Sequence, residues 1–313
     1  MSGYIIRRLF ASIPVILLVG VITFSILHIA PGDPAVLMAG EEATPEDVEK
    51  MRQALGFEKP FYIQFGVWVG NLLRGDLGTS IFSKHTITSL MAPRLQPTLS
   101  LGMLAIVLSI LFGIPMGVIA AWKVGSLIDR GVMVFAVLGF SVPVFWLGFI
   151  FIWLFAVHFR IFPAVGFVPI SEGIFPYLKS LTLPALANAI PFSALVARMT
   201  RSTMVEVLQE DYIRTARAKG LAEFGVIGRH ALRNASIPIV TVIGLVFAAL
   251  VSGAVVTETV FAIPGLGRLL VDGVVRRDYP IVQAMLMVTA VSYVFVNLVI
   301  DIFYAYLDPR IRY

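Results

Sequence analysis

Six stretches of this 313-residue chain run without a single Asp, Glu, Lys or Arg: 9–29, 98–122, 131–157, 181–197, 237–257 and 281–300. The hydrocarbon of a bilayer is about 30 Å thick and a helix rises about 1.5 Å per residue, so about 20 mostly apolar residues reach across it. No water is present there to satisfy peptide groups, and stretches this long can do so only as helices. The expected fold class is all-α: a polytopic membrane protein with six transmembrane helices. Composition agrees, with 58% hydrophobic and 14% charged residues and a mean hydropathy of +0.90, outside the range of ordinary soluble domains.

The fourth stretch is the shortest and holds Pro184 and Pro191, which makes it the weakest of the six. A broken backbone is tolerated at that depth only where protein or a cavity surrounds it. Pro115 and Pro143 are expected to kink the second and third spans, while Pro238 falls where the fifth would begin and costs little. Arg7 and Arg8 ahead of an apolar run also suggest a signal peptide. The run is too long for a signal core and His28-Ile29-Ala30 is a poor cleavage site, so the first span is expected to be retained.

Basic residues flanking short segments set orientation. Arg7 and Arg8 place the amino terminus in the cytoplasm, and six crossings return the carboxyl end, with Arg310 and Arg312, to the same side. Lys123, Arg130 and the loop 198–236 then lie inside, and 30–97 lies outside. In that outer segment Thr44-Pro45-Glu46-Asp47 reads as a helix start and Gly56 as its stop. A second helix from Pro60 to about Arg74 would place Phe61, Phe65, Val69 and Leu72 on one face. The segment either caps the bundle or docks an external partner. The net charge of +5 reflects the excess of cytoplasmic Lys and Arg; no compact basic module suggests nucleic-acid binding.

The chemistry that is missing narrows the function. There is no GxxxxGK[ST] phosphate loop, nor any Gly-Lys dipeptide, so ATP hydrolysis through that machinery is not expected. HExxH and GxSxG are absent, and so is cysteine, which removes thiolate and disulfide chemistry. His28, His85, His158 and His230 are scattered and read as structural. Transport remains. Proton pumps and ion-coupled carriers usually hold an ionisable residue inside the membrane, and these spans hold none. Sodium can still be bound by carbonyls at broken helices, so an ion-coupled secondary carrier is the alternative.

Energy must then enter elsewhere, and residues 211–238 offer a place. Arg214, Arg217, Lys219, Arg229 and Arg233 stand there against Asp211 and Glu223. Glu210 and Arg214 form an i,i+4 pair, and Leu221, Phe224, Ile227, Ala231 and Ala235 recur at helical spacing. Gly220, between the halves, reads as a helix stop. The expected element is helix, turn, helix, with an apolar stripe toward the membrane and a basic surface toward the cytoplasm. A solvated loop obeying the positive-inside rule explains the charge but neither the stripe nor the glycine.

The string Asp211-Tyr212-Ile213-Arg214-Thr215-Ala216-Arg217-Ala218-Lys219-Gly220-Leu221, followed by His230-Ala231-Leu232-Arg233-Asn234-Ala235, resembles the EAA loop of permease subunits in ATP-binding-cassette (ABC) importers. The similarity is to the dipeptide/oligopeptide/nickel branch. Tyr4-Ile5-Ile6-Arg7-Arg8-Leu9, Ala30-Pro31-Gly32-Asp33-Pro34, Glu258-Thr259-Val260-Phe261-Ala262-Ile263-Pro264-Gly265-Leu266-Gly267, Arg277-Asp278-Tyr279-Pro280 and Leu307-Asp308-Pro309-Arg310 resemble the same branch in the same order. Against the general pattern EAA-x-x-x-G only Ala216 and Gly220 match, and the trailing I-x-L-P is absent at its usual distance; the peptide branch departs similarly.

The resemblance implies a type I importer permease. Residues 1–29 would form an amino-terminal transmembrane helix, 30–97 an extracytoplasmic helical segment, and 98–313 the core permease domain carrying the EAA-like loop. Its implied partners are a second homologous permease, two cytoplasmic ATPases and an external binding protein, in a bacterial or archaeal cytoplasmic membrane. This chain would bind no cofactor, with ATP and Mg held by the ATPases. Arg214, Thr215, Ala216, Arg217, Lys219, Gly220 and Leu221 would couple to an ATPase, although the basic residues also suit lipid headgroups. Glu258, Pro264, Gly265, Gly267 and Asp278 would form an external gate or a binding-protein contact, and Asn188 and Ser193 are candidates to line the pathway. Dipeptides, longer peptides, nickel complexes, glutathione and sugars are all compatible substrates.

Overall fold

The computed structural model describes residues 2–29, 35–36, 44–54 and 58–307. Gly56, the Ala30–Pro34 string, Arg310 and Arg312 lie outside them. The helices are α1 (Ser2–Ile29), α2 (Pro45–Ala54), α3 (Phe61–Leu73), α4 (Ile87–Trp122), α5 (Leu127–Ser141), α6 (Val144–Phe151), α7 (Ile174–Leu208), α8 (Asp211–Ala218), α9 (Leu232–Gly253), α10 (Val255–Val260), α11 (Leu266–Val275) and α12 (Tyr279–Leu307). A π-helical turn, Ile152–His158, prolongs α6, and another, Val226–Ala231, leads into α9. Among the described residues the only β pairing is an isolated bridge between Thr79 and Thr86.

Helices α4 and α7 form the centre. Buried small residues recur every fourth position on both: Ala105, Ser109, Gly113, Gly117 and Ala121 on α4, and Ala185, Ala189, Ser193 and Ala197 on α7. In lipid, helices gain little from burying apolar surface and are held instead by close packing, which small residues permit. A Cβ on Gly113 would lie 2.7 Å from the Cβ of Val196, so the backbones are in near contact. This explains the fourth stretch, the weakest by hydropathy. It is the most enclosed span, with 72% of its apolar window buried against 17% for α1, and its small, weakly apolar residues suit a protein neighbour rather than lipid.

The contacts climb both helices together. Ser109 lies beside Ala189, Gly113 beside Ser193 and Val196, and Gly117 beside Ala197 and Thr200. Parallel neighbours require the chain between them to return to the starting end. That return is α5 with α6 and its π-turn, a pair bent by 100°. The third expected span is therefore broken rather than kinked. Pro143 lacks an N–H and drives Val142 to extended backbone (φ −83°, ψ 127°). By contrast α4 stays helical through Pro93, Pro97 and Pro115. Five unbroken helices and this bent pair account for the six expected crossings.

The fifth span begins earlier than expected, at Glu223, and Pro238 lies inside α9. Ile227, Ala231 and Ala235 are buried against Met204, Ile213 and Ala216, and this burial carries the helix through the hydrogen bond that Pro238 cannot make. At the periphery α1 runs antiparallel to α12, with Gln283 Nε2 donating to the Phe24 carbonyl at 3.4 Å. The rings of Phe61, Phe65 and Trp68 surround Phe24 at centroid distances of 5.3–5.6 Å, which seats α3 on the end of α1. One end of the bundle thus gathers Trp122, the start of α5, the end of α7 and α8. The opposite end gathers the 79–86 turn, α10 and α11.

Candidate functional site

Helix α8 is joined to α7 through Gln209 and Glu210 alone. It buries Ile213 and Ala216 under the core and leaves Arg214, Thr215, Arg217, Lys219 and Leu221 exposed. Ala216 is therefore packed against the core, and the exposed face is that of its neighbours. Arg214 meets Asp211 only at 3.4 Å. Arg217 is tied inward, donating to the Glu223 carboxylate from Nη2 at 2.7 Å and Nε at 3.2 Å; this bond raises the guanidinium pKa further above its already high value.

Gly220 ends α8 with φ +77°. Its N–H donates to the Arg217 carbonyl at 2.9 Å and the Leu221 N–H to the Ala216 carbonyl at 3.4 Å. This pair of bonds defines a Schellman stop, in which the left-handed residue is usually glycine. The apolar stripe expected beyond it needs correction. Ile227, Ala231 and Ala235 face inward, but Leu221 is 47% exposed and Phe224 is 90% exposed. The first turn buries Val226 instead, and residues two apart on a helix point to nearly opposite sides. The result is an exposed phenylalanine four residues beyond the Gly220 stop.

At the opposite end Glu258 is fully buried. Its Oε1 accepts from Thr98 Oγ1 at 2.5 Å and its Oε2 from the Arg268 N–H at 3.0 Å. Thr98 Oγ1 in turn accepts from the Leu266 N–H at 2.8 Å. Glu258 and Thr98 together cap the start of α11, where unpaired N–H groups favour a negative charge. Burial nevertheless pushes the Glu258 carboxyl above its usual pKa, against the lowering effect of Thr98 and the Arg268 and Gly267 amides. Gly265 and Gly267 are required by this approach. A Cβ on Gly265 would lie 2.2 Å from the Glu258 carboxyl carbon, and one on Gly267 2.6 Å from Val255 Cα.

Asp278 is buried as well, accepting from Ser80 Oγ at 2.6 Å and the Ile81 N–H at 3.2 Å. Glu258, Gly265 and Asp278 are thus buried within the chain, whereas Pro264 alone of the expected set is exposed and Gly267 is half-buried. The surface beside them includes Phe82, Asp272, Val274, Val275, Arg276 and Arg277, which were not legible as a group. Asn188 and Ser193 are packed between helices. Asn188 Oδ1 accepts from Thr257 Oγ1 at 2.9 Å, and its Nδ2 has no hydrogen-bond partner among the described residues. Those residues hold no cluster suited to a metal ion.

Comparison with known proteins gives concordant results. A family model described as "Binding-protein-dependent transport system inner membrane component" matches residues 113–313, and its amino-terminal companion matches 1–102. The chain is 45% identical over the full length of both proteins to "Probable peptide ABC transporter permease protein y4tP" of Sinorhizobium fredii. It is 44% identical, again over both full lengths, to "Glutathione transport system permease protein GsiC" of Escherichia coli O6:H1. The fold is similar to a chain of the inward-facing MetNI methionine ABC transporter, with a TM-score of 0.59 and 17% identity over 71% of this chain and 97% of that one.

Proposed function

The chain belongs to the family of inner membrane components of binding-protein-dependent transport systems, and from that premise we propose how it works and what it carries. It is one of two permeases in an ATP-driven importer of short peptides or peptide-like solutes. The relatives named for a peptide and for glutathione match it almost equally well, and peptide bonds are common to both solutes. The end bearing α8 faces the cytoplasm, as do both termini, and two cytoplasmic ATPases hold ATP and Mg. An external binding protein docks at the other end, on Phe82, Val275, Arg276 and Arg277, while Glu258 and Asp278 hold that surface in shape.

The observation that carries this reading is the build of α8. Arg214, Lys219 and Phe224 project outward around a rigid stop at Gly220, and Ile213 and Ala216 seat the helix on the central pair. Aromatic residues and arginine are enriched at protein interfaces, which favours Phe224 and Arg214 as the anchors. ATP draws the ATPases together, the seated α8 moves with them, and α7 with α4 transmits that displacement as alternating access. ATP shifts the equilibrium only by binding one state more tightly.

The chain contains no cysteine, so Phe224→Cys supplies a single thiol. It should crosslink to a cysteine in the co-expressed ATPase, with a yield that changes on ATP binding. Crosslinking to the external binding protein instead would contradict the orientation, and native co-purification with that protein identifies the solute it delivers.

A further inference from the structure

Arg201 on α7 reaches across to Asp129 in the first turn of α5. Nη2 donates to Oδ2 at 2.7 Å and Nε donates to Oδ1, a two-pronged pair that fixes direction as well as distance. Asp129 is buried. Its Oδ2 also accepts the Gly125 N–H at 2.9 Å, and its own N–H donates to Ser126 Oγ at 3.3 Å. One carboxylate therefore binds the α4–α5 turn, the start of α5 and the last turns of α7.

The position of this pair gives it a role beyond anchorage. Helices α4 and α7 interlock through Gly113 and Gly117, so they move together. Helix α8 hangs from the end of α7. The bent pair α5–α6 is the one interrupted crossing among the described residues, broken at Val142 and Pro143. Higher on α5, Gly139 packs closely on Ala194 of α7, where a Cβ would lie 3.1 Å from the alanine Cβ. We propose that Asp129 and Arg201 are positioning residues for transport: the pair makes α5–α6 follow α7 when α8 is displaced, without touching the solute or ATP. This rests on α8 being the coupling element.

The test uses the complete complex in proteoliposomes, measuring ATP hydrolysis and solute uptake side by side. Asp129→Asn keeps the volume and an acceptor for the Gly125 N–H, so the fold should survive. Expected is ATP hydrolysis within about twofold of wild type but a fall of about tenfold in solute moved per ATP. Arg201→Gln should behave alike, and the swap Asp129→Arg with Arg201→Asp should recover much of the ratio. A wild-type ratio in Asp129→Asn overturns the proposal, as does a proportional fall of hydrolysis and uptake, the mark of a merely structural role, or an assembled swap no better than the single variants. If the wild-type complex itself shows no ATP-driven uptake, the function proposed above fails instead.

Discussion

Gly117 and Thr200 leave no space between α4 and α7: a Cβ on the glycine would lie 2.5 Å from the threonine Cβ and 2.6 Å from the Ala197 carbonyl oxygen. Backbone lies on one side of that contact, so no rotamer change relieves it. Gly117→Val should destabilise the protein by about 1–3 kcal/mol, the usual cost of overpacking, read as a lower melting temperature in detergent. Gly102→Ala, on the same helix with nothing within 4 Å of the added carbon, should leave the melting temperature unchanged or raise it.

Gly220 presents the opposite case, with open space around it and a backbone that resists substitution. At φ +77° with no atom within 4 Å, a side chain meets no neighbour but strains the main chain by about 1–3 kcal/mol. Gly220→Val should insert and pair normally yet retain less ATPase through purification and transport poorly. Gly220→Asn should be milder, because asparagine tolerates the left-handed region better. Full transport by the valine variant would reduce α8 and its turn to a solvated connector.

The two glycines also mark how far sequence reading reaches. Gly220 was legible because a helix stop is local: a basic last turn, a glycine and a new apolar stripe. The long apolar runs were legible for the same reason. The role of 181–197 was not, since Ala185, Ala189, Ser193 and Ala197 look weakly apolar until a second helix with its own small residues is set against them. Glu258, in a Pro-Gly-rich connection, and Asp278, in the separate string 277–280, read as an external gate or contact, and their partners Thr98 and Ser80 are remote in sequence. Asp129 and Arg201 are equally remote, although Ser126-Leu127-Ile128-Asp129 could have been read as a capping pattern.

Stability should respond to pH through Glu258. Burial raises its folded pKa above the usual value of 4.5, so between the two values the folded chain holds more protons than the unfolded one. Stability then falls as pH rises through that interval and levels off above the folded pKa. Glu258→Gln removes the titration. The melting temperature of the wild type, minus that of the variant, should fall as pH is raised from about 4.5. A difference that is flat across that range would mean that the carboxyl is not desolvated as described.

Parallel packing of α4 and α7 places Arg130 and Lys219 at one end of the bundle, and the charge pattern assigns Pro45, between α1 and α3, to the opposite side of the membrane. Single cysteines at these three positions, in intact cells, should react with an impermeant thiol reagent at position 45 only. The other two should label after permeabilisation. Equal external reaction at 219 would invert the topology.

The most direct measurement is uptake into proteoliposomes containing this chain, its partner permease and the two ATPases, with loaded binding protein on one face and ATP on the other. The predicted result is uptake that requires both ATP on the α8 face and binding protein on the opposite face, with no ATP hydrolysis by the purified chain alone. Uptake driven by an ion gradient without ATP, or hydrolysis by the isolated, contaminant-free chain, would contradict it.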